Sequence, residues 1–168
     1  ATVWTSPAFT EEAFIEPAKQ VLAPIPTADR IEIHGPYAFY VPVSDLSVLQ
    51  PSLEFDWFRC NLRQAIQDIR DHDGAHISDL KHLSRDILLI FTETKTWALY
   101  GVDPRTWQLN IVYDVGMPRG GFRTTVGVDG RVIWKSRRHV YETNGYREGT
   151  KPISLPIEKT LDSLDGTT

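Results

Sequence analysis

Between Pro51 and Arg70 the chain runs PSLEFDWFRCNLRQAIQDIR. The reading of these twenty residues decides the fold class. Phe55, Phe58, Leu62, Ile66 and Ile69 recur at spacings of three and four, which lays one apolar stripe along a helix. Arg59, Arg63, Gln67 and Arg70 fall off that stripe. Ser52 stands where an N-cap belongs, and Glu54 and Asp56 occupy the first turn, where carboxylates suit the helix dipole. The pattern predicts one main amphipathic helix from Ser52 to Arg70, stopped by Gly74, with Cys60 as a packing residue inside it.

On either side of this segment the period changes. Upstream, residues 1–9 read as an irregular arm. Thr10 caps a second predicted helix with Phe14, Ala18, Val21 and Leu22 on one face, interrupted at Pro17 and ended by Pro24 and Pro26. Arg30–His34 alternates, with Ile31 and Ile33 on one side and Glu32 and His34 on the other, as a half-buried strand does. Gly35-Pro36 supplies a turn, and the aromatic and β-branched run Tyr37–Val43 supplies the returning strand.

Downstream, from Ile87, the pattern is that of strands. Ile87–Thr92 is a continuous apolar run. Thr96–Val102 and Gln108–Val115 flank Asp103-Pro104-Arg105-Thr106, a turn with proline in the second position. Arg123–Val128 and Arg131–Val140 flank Asp129-Gly130, the strongest short hairpin signal in the chain. The fold expected from these elements is α+β: an antiparallel meander of about five strands in the C-terminal half, packed against the one main helix, with an N-terminal helix and hairpin. No parallel crossover units are indicated. The 168 residues read as a single domain, with 152–168 as a docking or mobile tail.

Charge is segregated along the chain. The whole carries −4, yet Pro118–Lys151 holds eight Lys/Arg against three acids, a net of +5. Such asymmetry speaks of partners rather than of fold. In a regular strand from Arg131 to Tyr141, alternation puts Arg131, Ile133, Lys135, Arg137, His139 and Tyr141 on one face, and sends Trp134 and Val140 toward the core. With Arg119 and Arg123 from the preceding loop and strand, Arg131, Lys135, Arg137 and His139 form a candidate anion-binding surface. Cations neutralise phosphates and aromatic rings stack on bases, so the expected partner is nucleic acid or an acidic protein surface. The leading expectation is therefore a non-catalytic binding or assembly module. Opposite charges in the two parts of the chain also allow head-to-tail association into a homo-oligomer.

A small phosphodiester hydrolase, nuclease-like, is the alternative. Asp71–His82 (DHDGAHISDLKH) gathers three histidines and three aspartates, residue types that bind transition metals. Its spacing matches no known metal signature, and it reads also as a polar loop between helices, so no metal ligand and no cofactor is assigned. Glu93-Thr94-Lys95 after an apolar strand resembles the second half of the motif of metal-dependent nucleases, which implies an upstream acid from Asp73, Asp79 or Asp86. A metal-free route would use His139 and His34 as acid and base, with Arg131 or Arg137 on the phosphate.

Cys60 is the single cysteine, so no internal disulfide and no cysteine-based zinc site can form. No run of apolar residues is long enough to span a bilayer, and Ala1–Trp4 does not open with a basic region and an apolar stretch. A cytoplasmic protein without a membrane partner is the expectation.

Overall fold

Ile87–Thr92 is buried at all six positions, on both faces of its strand. In an antiparallel sheet this requires a layer on each side, and the structure supplies both. It is a computed structural model and describes residues 21–69 and 75–154, apart from the side chains of Phe122 and Arg123. The predicted arm 1–9, nearly all of the predicted N-terminal helix, the segment 70–74 and the tail beyond Ser154 lie outside the described residues.

The described chain forms three antiparallel sheets in succession. The first contains β1 (Leu22–Pro24), β2 (Ala28–His34), β3 (Tyr37–Pro42), β4 (Gln50–Leu53) and β5 (Asp56–Asn61), in the order β1-β5-β4-β3-β2. The second is the meander β6 (Ile77–Ser84), β7 (Ile87–Thr92), β8 (Thr96–Tyr100) and β9 (Gln108–Tyr113). The third is β10 (Val126–Val128), β11 (Arg131–Lys135), β12 (Val140–Thr143) and β13 (Lys151–Pro152).

The second sheet is the middle layer. Leu88 and Ile90 of β7, with Trp97 and Leu99 of β8, pack on Tyr37, Phe39, Val41 and Leu49 of the first sheet region. Ile87, Leu89 and Phe91 point the other way, onto Val132, Trp134 and Tyr141 of the third sheet. Burying one such aliphatic or aromatic side chain contributes about 1.5–3 kcal/mol, so β7 anchors two cores at once. Phe91 and Tyr141 both lie against Trp134, with ring centroids 5.3 Å away in each case.

The α+β expectation is overturned. No long helix covers a sheet among the described residues. Among the described residues, helical structure is limited to 3-10 turns at Leu62–Gln64, Gly121–Thr124 and Arg147–Gly149 and to Asp68 and Ile69. Most of the predicted main helix is instead the β4–β5 hairpin and its exit. Pro51 stands where β4 changes neighbour: Gln50 and Pro51 pair with Tyr40 and Phe39, whereas Ser52 pairs with Cys60. A residue without an N–H is tolerated where one ladder ends and the next begins. Phe55 makes the turn at φ +55 and is 79 % exposed, as is Phe58. Of the apolar stripe, Phe55, Phe58 and Leu62 are exposed, and only Ile66 and Ile69, beyond the hairpin, reach the first core. Val21 and Leu22, assigned to a helical face, lead into β1, which pairs with β5.

Other local readings fare better. Gly35, at φ +60, and Pro36 close the β2–β3 hairpin between His34 and Tyr37. Thr106 N donates to Asp103 O at 3.0 Å across the Pro104 turn. Asp129 and Gly130 both take positive φ, 46° and 70°, as a two-residue hairpin of primed type demands. The five strands of the expected meander divide between the second and third sheets, because the long connection from Asp114 to Thr125 carries the chain over to a new layer.

Candidate functional site

The third sheet carries the basic residues, and its two faces differ sharply. Cross-strand pairs share a face, so the register sorts the side chains. Val132 opposite Thr143, and Trp134 opposite Tyr141, point inward to the second sheet. Val128 opposite Arg131, Val126 opposite Ile133, and Lys135 opposite Val140 point outward. Lys151 joins them beside Glu142, which is opposite Ile133. The outward face therefore has an apolar centre, with Val126 and Val128 about half exposed, and a border of Arg131, Lys135 and Lys151.

Glu142 is the acid of this face. Lys151 Nζ and Arg131 Nη1 each lie 3.1 Å from its Oε1. The Lys151 contact first, and then Arg131, hold the Glu142 carboxyl below its ordinary range. Three cations against one carboxylate leave the face at +2. Among the described residues no carboxylate forms an ion pair with Lys135.

The strand read from Arg131 to Tyr141 stops at Lys135. Ser136–His139 is a tight turn tied by one hydroxyl: Ser136 Oγ accepts from Arg138 N at 3.3 Å and His139 N at 3.1 Å, and Ser136 N donates to His139 O at 2.8 Å. The turn resets the alternation, and so Tyr141 lies inward and buried beside Trp134 instead of outward beside Arg131. The expected row loses its aromatic member and also loses Arg137 and His139.

Those two residues, with Arg138, line a separate cleft of about 430 Å³, opposite Glu93 and Thr94 of the β7–β8 turn and Asp114 at the end of β9. Cations and carboxylates both line that cleft. Arg147 also reaches Asp114, at 3.8 Å. Gly116 lies directly against the backbone of Thr92, Glu93 and Thr94 and leaves no space for a Cβ. Arg119 is exposed in the turn before Gly121–Thr124, and Thr124 Oγ1 accepts from Lys135 N at 3.3 Å, which joins that 3-10 turn to the end of β11. Arg123 belongs to the same turn by its backbone.

Among the described residues, those proposed for hydrolysis do not converge. Asp71–His82, the histidine and aspartate cluster read as a loop, is in its second part the strand β6; His72 lies outside the described residues and His76 is exposed. Asp79 is nearly buried, and Thr125 Oγ1 donates to its Oδ2 at 2.7 Å. Burial pushes its carboxyl up from the usual 3.8, against the opposing pull of that hydroxyl. Asp86 accepts from Ser84 Oγ at 2.9 Å in the β6–β7 turn. Glu93-Thr94-Lys95 is itself a turn, pinned by Lys95 N donating to Thr92 Oγ1 at 2.9 Å. Among the described residues no three His, Cys, Asp or Glu side chains are grouped to hold a metal ion. His34 meets His82, not His139.

Two features escaped the sequence reading. One is the Val126, Val128 and Ile133 centre of the outward face, visible in the sequence only as two valines around Gly127 ahead of an Asp-Gly turn. The other is the cleft that Glu93 and Asp114 line together with Arg137 and Arg138, which are far apart in sequence and carry no local signal. No protein family matches the chain, and no curated protein is significantly similar to it. Among the described residues no helix is long and apolar enough to cross a membrane.

Proposed function

We propose that this protein is a binding or assembly module that engages an acidic protein surface through the outward face of β10–β13. The observation that carries the reading is the pairing of an apolar centre (Val126 and Val128 exposed, Ile133 half-buried) with Arg131, Lys135 and Lys151 around it. Apolar area in the middle and charge at the rim is the usual anatomy of a protein interface. Rim cations steer an acidic partner and set the salt dependence of its approach. An acidic protein is favoured over nucleic acid because Tyr141, the ring expected to stack on bases, belongs to the inward face.

The probe is a peptide of alternating valine and glutamate, titrated against the protein with amide shifts followed by NMR. A single-stranded oligonucleotide of equal charge is the second arm. The expected result is that the peptide shifts Val126, Ile133 and Lys151, and that Arg131→Glu/Lys135→Glu weakens it at least about tenfold, two contacts at about 0.7 kcal/mol or more each. Tighter binding of the oligonucleotide to the same face would favour nucleic acid instead. Shifts that avoid this face with both probes would overturn the proposal.

A further inference from the structure

The joint between the second and third sheets holds a cleft that shares no residue with the outward face of β10–β13. Three pieces of backbone meet there: the β7–β8 turn, the segment after β9, and the Ser136–His139 turn. Thr92 Oγ1 accepts from Lys95 N at 2.9 Å and pins the first. Met117 N donates to Thr92 O at 2.8 Å, and Gly116 lies against the backbone of Glu93 and Thr94, so the second is locked to the first. Ser136 Oγ holds the third through Arg138 N and His139 N. Tyr113 of β9 meets Tyr141 of β12 with ring centroids 5.5 Å apart, which ties the two sheets together beside the cleft. Walls fixed in this way leave little ordering to be done on binding. The volume, about 430 Å³, falls in the range of small-molecule sites, about 300–1,000 Å³.

The charged groups of the cleft select the ligand. Arg137 and Arg138 are both exposed, and among the described residues neither guanidinium forms a hydrogen bond or an ion pair. The Glu93 carboxylate likewise has no partner among them. Asp114 differs, since Arg147 Nη2 lies 3.8 Å from its Oδ2. Two unpaired cations and one unpaired carboxylate therefore line one cleft. The complementary ligand has two negative groups and one positive. A guanidinium presents a planar fork that matches a carboxylate, and an ammonium matches Glu93. A dianion without an ammonium would leave Glu93 unpaired beside like charge, and a simple cation would meet two guanidiniums, so each is disfavoured. Val115 and the Tyr141 ring supply apolar lining for a short aliphatic chain between the charged ends.

We propose that this cleft binds a free acidic amino acid, glutamate or aspartate, with its two carboxylates on Arg137 and Arg138 and its ammonium on Glu93. The site stands apart from the β10–β13 face and does not depend on what that face engages.

Titration of the 168-residue chain with L-glutamate, followed by amide shifts, tests it. Shifts are expected at residues 93–95, 114–116 and 136–139. Glutarate, which lacks the ammonium, and glutamine, which lacks the second carboxylate, are each expected to bind at least about tenfold more weakly, the effect of one charge-assisted contact. Arg137→Gln/Arg138→Gln, at exposed sites, is expected to abolish the glutamate shifts with an unchanged circular dichroism spectrum. Glu93→Gln is expected to bring glutamate down to the affinity of glutarate. Arg105→Gln, at an exposed arginine of the β8–β9 turn, is expected to leave the affinity unchanged, which separates a local contact from the loss of one positive charge. Absence of glutamate shifts at these residues would overturn the inference. So would glutarate binding as tightly as glutamate, which means a plain anion site, or glutamate binding that survives Arg137→Gln/Arg138→Gln. The valine–glutamate peptide reads the other face: its failure at Val126 and Ile133 leaves this site intact, and a cleft that ignores glutamate leaves the β10–β13 reading intact.

Discussion

His34 and His82 face each other Nδ1 to Nδ1 at 2.9 Å, joining β2 of the first sheet to β6 of the second. Of two such nitrogens one must donate and the other accept, so at least one ring is neutral in the bonded state. His34 is the buried partner, 2 % exposed. Burial first, and the neighbouring His82 second, bring its pKa down from 6.5 to about 4, while the Gly101 backbone and Asp86 act in the opposite direction. Glu32, on the same strand, accepts from the His82 amide.

A depressed histidine has a definite consequence for acid stability. Below pH 6.5 the unfolded chain takes up a proton that folded His34 refuses, so the stability present above 6.5 is lost progressively as pH falls toward about 4. The full span corresponds to about 3 kcal/mol at 1.36 kcal/mol per pKa unit. Urea unfolding at a series of pH values should show this loss in the wild type and a flatter profile in His34→Gln. Identical slopes for the two proteins would exclude His34 as the source.

Asp79 has the reverse sign. Its folded pKa is raised, mainly by burial, so its contribution to stability is greatest where it is protonated and declines as pH rises through the folded value. The Thr125 hydroxyl favours the ionised form. Thr125→Val removes that donor and should cost about 1.5–3 kcal/mol at neutral pH, with the loss shrinking in acid as Asp79 takes up its proton. A deficit independent of pH would mean that the hydroxyl matters for packing and not for the carboxylate.

What can be read from the sequence, and what cannot, follows from how regularly each strand alternates. Ile87–Thr92 has no bulge and is buried throughout, and Asp129-Gly130 has the two residues that its turn requires, so both are legible. β6 reads as a loop because its register shifts at Ile77/Asp79 and again at His82/Ser84, which breaks the period of two. Phe55 turns the β4–β5 hairpin at positive φ with none of the usual turn residues, and the spacing of Phe55, Phe58 and Leu62 imitates a helix. In β2 the alternation is visible but its sense is reversed: Ile31 and Ile33 point outward, while Glu32 and His34 meet β6. Alternation gives two faces without saying which is inside. The candidate face is legible for Arg131 and Lys135 only, since the Ser136 turn resets everything after them.

Gly116 tests the joint between the Arg137–Arg138 cleft and the middle sheet. A methyl group there would run into Thr92 O and the backbone of Glu93 and Thr94, none of which is a flexible side-chain end. Gly116→Ala should therefore destabilise by about 1–3 kcal/mol, the usual range for overpacking. It should also displace the Glu93-Thr94 turn from Arg137 and Arg138, seen as amide shift changes at residues 93–95 and 136–139. A substitution with unchanged unfolding midpoint and spectrum would show that the backbone there yields freely.

Trp134 separates the cost of lost volume from the cost of an unsatisfied donor. The ring is fully buried between Phe91 and Tyr141, and among the described residues its Nε1 has no acceptor. Trp134→Ala empties the centre of the second core and should cost about 3–5 kcal/mol. Trp134→Phe keeps one ring against Phe91 and Tyr141 and removes a buried N–H whose desolvation costs about 1–3 kcal/mol. The two contributions oppose, so Trp134→Phe should fall within about 1 kcal/mol of the wild type by denaturant unfolding, far from the additive expectation for lost area. A loss as large as that of Trp134→Ala would show that the indole nitrogen is satisfied in solution and that shape alone holds the third sheet on the second.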